Sequence, residues 1–272
     1  MSELFIILGV LALSFGLRSF QSKVLRKLGA LGILAATFLA FYLPTGSFTA
    51  GFGGLLIWFL LPWVELLTRI RRLRLPVDKT LEKTTPPNSS RFPDFQTLTS
   101  EIEEEGFEYV SDTGWEWDGM NQFYRLFYHE ELRQQAAICF MEQDGIAWSC
   151  LTLTTRSEGG TTYRTTNQPF SNPMKTAPDV LLRQSPDSET FSELQEVHTR
   201  WMSRLSIDAP QLIEEDPESL TELIEKETGR QIKYNLETGL IRLAEKAGTF
   251  RYSWRGLFYL YFQLVKDMVK MC

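Results

Sequence analysis

Residues suited to chemistry are few and scattered in this 272-residue chain, which has only two histidines and three cysteines. His129 stands beside Glu130 and Glu131, and two carboxylates next to an imidazole are raw material for general acid–base catalysis. The aromatic run Gln122–Glu130 places them at a strand end, where consecutive side chains point to opposite faces. His129 and Glu130 therefore do not converge, and a turn of solvated charges is expected. His198 falls near the apolar face of a helix and is expected as a hydrogen-bonded structural histidine. Cys139 and Cys150 flank Asp144-Gly145, a strong two-residue hairpin signal. Counting outward from that turn brings the two thiols opposite each other, with Cβ atoms about 4.5–5.5 Å apart. They form a hydrogen-bonded pair, whose wider Cα spacing suits a disulfide poorly. Reduced, buried thiols are expected, with a redox pair as the alternative.

Trp115-Glu116-Trp117-Asp118-Gly119 reads as a loop. Exposed tryptophans on loops mark binding surfaces, which makes Trp115 and Trp117 the candidate binding residues. The alternative is that both fold over into a core. No phosphate loop, dinucleotide fingerprint, nucleophile elbow, Cys-x-x-Cys pair or His-Glu-x-x-His occurs, so neither a cofactor nor a metal site is expected. Three cysteines exclude a disulfide-stapled secreted domain.

The elements that must position these residues differ sharply along the chain. Residues 1–75 carry eight basic and two acidic side chains, a net of +6; the remainder carries 20 basic and 32 acidic, a net of −12. Three apolar runs fill the basic part: Leu4–Leu17, Leu28–Leu43 and Phe48–Leu67. A helix rises about 1.5 Å per residue, so about 20 residues cross a hydrocarbon core. Spans are expected at about 3–19, 28–44 and 48–68, the first being the shortest and able to lie in the interface instead. Its start, Met1-Ser2-Glu3, lacks the positive side chain of a signal peptide, so it is expected to stay in the mature chain. Glu65 and Arg69 form an i,i+4 pair near the end of the third run. Small residues recur every four positions (Ala12, Gly16; Gly32, Ala36, Ala40; Gly46, Ala50, Gly54), which suits close packing within one helical hairpin, with oligomerisation as the alternative.

Arg18, Lys23, Arg26 and Lys27 lie between the first two runs, and Arg69, Arg71, Arg72 and Arg74 follow the third. The turn Pro44–Ser47 is uncharged. Lysine and arginine concentrate on the cytoplasmic side, so a multi-pass protein of the plasma (inner) membrane is expected. Its large domain faces the cytoplasm, with the basic residues against anionic headgroups.

Residues 76–93 read as a polar, proline-rich linker. Residues 94–206 read as an α+β domain: a helix from Asp94, then a four- to five-stranded antiparallel meander from Phe107 to Thr166. A proline-rich loop over 169–187 and a helix from about Ser188 to Leu205 complete it. Residues 207–272 read as a helical region, with a helix from Asp216-Pro217 that Gly229 can end. Residues 230–254 fit either a helix or two short strands. The tail from Arg255 is amphipathic, too short to span, and suits either the headgroup region or packing on the sheet. An acidic domain without a basic face excludes a nucleic-acid binder. The reading is a tethered cytoplasmic module that binds a protein or small ligand, the alternatives being a membrane-anchored enzyme or an accessory subunit of a membrane complex.

Overall fold

The computed structural model describes residues 2–20, 22–143 and 145–271. Asp144, Cys272 and the side chain of Lys23, on which sequence expectations were placed, lie outside the described residues. The chain is α+β and divides into two compact units, residues 1–73 with 254–272, and residues 74–253.

The first unit is helical: α1 (Ser2–Arg18), α2 (Lys23–Thr45), α3 (Phe48–Thr68) and α7 (Trp254–Met271). The segments Val24–Thr45 and Phe48–Arg72 are long and apolar enough to cross a membrane. At 22 residues the first is about 33 Å long. A left-handed Gly46 (φ 64°) closes α2, and its N–H donates to the Tyr42 carbonyl. The chain then reverses, so α2 and α3 form an antiparallel hairpin. Trp58 Nε1 of α3 donates to Thr37 Oγ1 of α2 at 3.1 Å. The small residues serve contacts inside this unit. A side chain at Gly29 or Gly32 would collide with Ser14 of α1, and one at Gly51 or Gly54 with the rings of Phe38 and Phe41 of α2. Ala36 is buried as well. Glu65 and Arg69 form their i,i+4 pair at 3.4 Å, both half-exposed.

The second unit is built on a mixed sheet in the order β2-β3-β4-β5-β6-β7-β8. The strands are β2 (Glu82–Lys83), β3 (Glu108–Trp117), β4 (Met120–His129), β5 (Gln134–Gln143), β6 (Ile146–Arg156), β7 (Thr162–Thr166) and β8 (Val180–Gln184). A four- to five-stranded antiparallel sheet thus gives way to seven strands, and the last pair, β7 and β8, is parallel. The addition at each edge is short: β2 has two residues, and β8 sits between the prolines of the segment expected as a loop. A second small sheet joins β1 (Leu75–Pro76), β10 (Thr249–Tyr252) and β9 (Ile241–Leu243). Residues expected as a linker therefore supply β1, β2 and a buried Phe92 to this unit.

Alternation along the strands divides the side chains between two faces. Ala136, Ile138 and Phe140 of β5 join Phe123, Phe127 and Leu153 under α4 (Phe95–Glu104) and α5 (Phe191–Arg204). Thr190 caps α5, its hydroxyl accepting from the Glu193 N–H. The opposite face carries Leu126, Tyr128 and Ala137 under Leu220, Leu223 and Ile224 of α6 (Leu220–Glu237). Helix α6 runs through Gly229 rather than stopping there.

Candidate functional site

Positions 115–117 belong to strand β3, not to a loop. Trp117 pairs with Met120, and the turn between them is Asp118 (φ 49°) and Gly119 (φ 76°). Two consecutive positive φ values are those of a type I′ turn, the hairpin connection that Asp-Gly favours. Trp115 and Trp117 therefore share the α6-facing side of the sheet with Thr113 and, across the ladder, Gln122 and Tyr124. Each tryptophan is half-buried.

Around Trp115 a polar cluster forms. Lys79 Nζ lies 4.4 Å from the Trp115 ring centroid and 5.8 Å from that of Tyr124. The same ammonium donates to Gln122 Oε1. The Gln122 amide donates to Cys139 Sγ at 3.5 Å. Cys139 faces Cys150 across β5 and β6, and both are free, buried thiols. The cross-strand pairing of Cys139 and Cys150 is the one the sequence predicts; what the structure adds is Trp115, Gln122 and Lys79 beside it.

Electrostatics separate these groups. Burial lowers the Lys79 amine to about 8. A hydrogen bond from Cys150 brings the Cys139 thiol down against the opposing effect of burial, helped by Gln122 and the Lys79 charge. The same sulfur–sulfur bond, together with burial, pushes Cys150 well up. Burial pushes the Tyr124 phenol up as well. The cluster can stabilise a Cys139 thiolate, yet both sulfurs are only 5% exposed.

Trp117 has a different setting. Its indole Nε1 donates to the Arg74 carbonyl at 2.8 Å, and Lys246 Nζ lies 5.3 Å from its ring centroid. Arg74, Trp117, Asp118 and Lys246 line an open cleft of about 430 Å³. That size falls in the range of small-molecule sites. Arg74 sits half-buried in this unit, its guanidinium 3.8 Å from Glu245.

The other basic residues lie at one end of the helical hairpin. Arg18 ends α1, Arg26 and Lys27 are in the first turns of α2, and Arg69, Arg71 and Arg72 follow α3; all are exposed. Lys23 begins α2.

The two histidines have structural surroundings. His129 sits edge-on to Phe107 at 5.2 Å, and its Nδ1 accepts from the Leu132 N–H, while Glu130 and Glu131 are exposed. His198 is fully buried between Thr155 and Thr165, each hydroxyl 2.8 Å from a ring nitrogen. Burial lowers it to about 4, so the ring is neutral.

Sequence reading missed a buried ionic network under α6. Glu227 binds Arg156 Nε at 2.7 Å and also pairs with Arg164, while Arg156 reaches Glu215 at 2.7 Å and Gln135 at 3.0 Å. Its ion-pair partners lie 59–71 positions apart, so no spacing in the sequence signals it. Among the described residues, no three His, Cys, Asp or Glu side chains converge as metal ligands do. Comparison of the chain with known protein families, with curated proteins and with solved structures gives no match.

Proposed function

We propose that this is a multi-pass protein of the plasma (inner) membrane whose α2–α3 hairpin spans the bilayer and tethers residues 74–253 on the cytoplasmic side. There the tethered module binds a small ligand or a protein at the Trp117 cleft. The observation that carries this reading is the exposed apolar surface of the hairpin. Phe52 is 60% exposed, Leu56 59% and Leu60 59%. Core helices of a water-soluble protein bury such residues, whereas lipid is the solvent that leaves them where they are. The basic residues gather at the end opposite the neutral Gly46-Ser47 turn, the asymmetry that sets orientation. With α1 as a third span, the N-terminus lies outside.

The test is alkaline carbonate extraction of membranes from expressing cells, combined with Ser47→Cys labelled by a membrane-impermeant maleimide. The reading predicts retention in the pellet and labelling of Ser47→Cys in intact cells. Release by carbonate, or labelling only after lysis, overturns it.

One observation favours a second reading, a membrane-anchored enzyme: the Lys79 amine, the Gln122 amide and the Cys139 thiol meet in one hydrogen-bonded cluster beside Trp115. That reading predicts that iodoacetamide alkylates Cys139 of the folded protein faster than it alkylates free cysteine. A slower reaction removes it.

A further inference from the structure

Helix α7 returns the chain to the helical unit, and its two sides are unlike. Leu257 and Leu260 are buried. On another side Trp254, Phe258, Phe262 and Val269 are 52–66% exposed. At 100° per residue these four fall within one stripe, with Val265 and Met268 between or beside them. Arg255, Lys266 and Lys270 follow along one border of the stripe, all exposed. A solvated helix does not hold three large aromatic or indole side chains in an i, i+4, i+8 row in water, because each exposed ring forgoes about 1.5–3 kcal/mol of burial.

The position of α7 on its neighbour says what covers that row. Trp63 of α3 packs edge-on against Phe258 at 5.0 Å and stacks on Tyr261 at 5.1 Å. The Arg71 guanidinium lies over the Trp254 ring at 4.8 Å. Both contacts are at the basic end of α3, the end at which a spanning helix leaves the hydrocarbon for the headgroups. An exposed aromatic row bordered by cations, held at that level, matches an interfacial helix in each of its parts. The rings enter the boundary between headgroups and acyl chains, and the cations meet phosphate.

We infer that α7 is a membrane anchor at the basic end of α3: Trp254, Phe258, Phe262 and Val269 insert into the anionic leaflet whose phosphates Arg255, Lys266 and Lys270 contact. The inference rests on the proposed span of α3 and adds to it a second, independent attachment of the module, so that both of its chain ends are held at the lipid surface.

The test uses the full chain with Cys272→Ser, reconstituted in vesicles of phosphatidylcholine and phosphatidylglycerol that contain brominated lipid. A bromine-quenched environmental dye is attached, in separate samples, at Phe262→Cys, at Leu56→Cys in the middle of α3 and at Glu196→Cys on α5. The expected result is strong quenching at both 262 and 56, at least about twofold above that at 196 for the row residue. Quenching at 56 with none at 262 beyond the level at 196 overturns the anchor and leaves the span standing. Absence of quenching at 56 overturns the span and the anchor together. A double variant, Phe258→Ser with Phe262→Ser, gives a second readout. With the dye at Trp254→Cys, the anchor predicts loss of lipid quenching there, and unchanged quenching overturns it.

Discussion

His198 and Glu227 are both buried and titratable, and their surroundings act on them in opposite ways. His198 has two hydroxyl partners and no counter-charge, so burial alone governs it. Its folded value, about 4, lies below the unfolded 6.5, so the unfolded chain binds the proton more readily. The contribution is intact above pH 6.5 and is lost as pH falls from there toward 4, by up to about 3 kcal/mol. Urea unfolding of the protein in detergent should show that slope in the parent and a flatter one in His198→Gln. Equal slopes contradict the assignment. Burial pushes the Glu227 carboxyl up, but Arg164 and Arg156 outweigh it and hold the group below its ordinary value. Its contribution is therefore present at neutral pH and lost as pH falls through that lowered value. Glu227→Gln leaves the buried Arg156 and the half-buried Arg164 short of charge, and a loss of about 3 kcal/mol is expected by denaturant unfolding at pH 7. The thiol pair is predicted to stay reduced. Both cysteines are only 5% exposed, which keeps oxidants from the sulfurs, so a free-thiol count before and after mild oxidation should not change.

Between elements, glycines decide several contacts. Gly32 of α2 faces Ser14 of α1, where any larger side chain must push the helices apart. Gly32→Leu is expected to lower the unfolding temperature in detergent, while Gly53→Leu, where nothing lies within 4 Å, is not. Gly119, at φ 76° in the β3–β4 turn, should lose about 1 kcal/mol on replacement by alanine, read from denaturant midpoints. The same turn explains what the sequence did and did not reveal. Asp144-Gly145 announced a hairpin because clean alternation flanks it. Asp118-Gly119 carries the same signal, but Trp115, Glu116 and Trp117 before it mix aromatic and acidic residues, and the run passed for a loop. Strands β4 to β6 were legible from apolar residues recurring along one face, and β7 from its β-branched threonines. β1 and β2 have two residues each and no period to read, while β8 is masked by Pro178 and Pro186 on either side. Gly229 reads as a stop, yet helix continues through it because Ile232 and Asn235 beyond it are buried. Contact between Lys79 and Trp115 was illegible for another reason: it depends on where a chain segment without periodicity is laid across a sheet.

At the scale of the whole molecule, two units of unlike composition share one chain that leaves the helical unit at residue 73 and rejoins it at 254. The charge split broadly follows the same division, basic where α2 begins and α3 ends and acidic beyond residue 75. On the proposed reading, lipid accounts for the apolar surface of the hairpin and the cytoplasmic leaflet for the cations at one of its ends, and the orientation of residues 74–253 follows from theirs. The most direct measurement is proteolysis of intact cells that express the chain with an epitope tag after residue 272, compared with proteolysis of inside-out vesicles. The account predicts a full-length tagged band from intact cells and digestion of residues 74–253 in the vesicles. Trimming of that segment in intact cells, with protection in the vesicles, contradicts it.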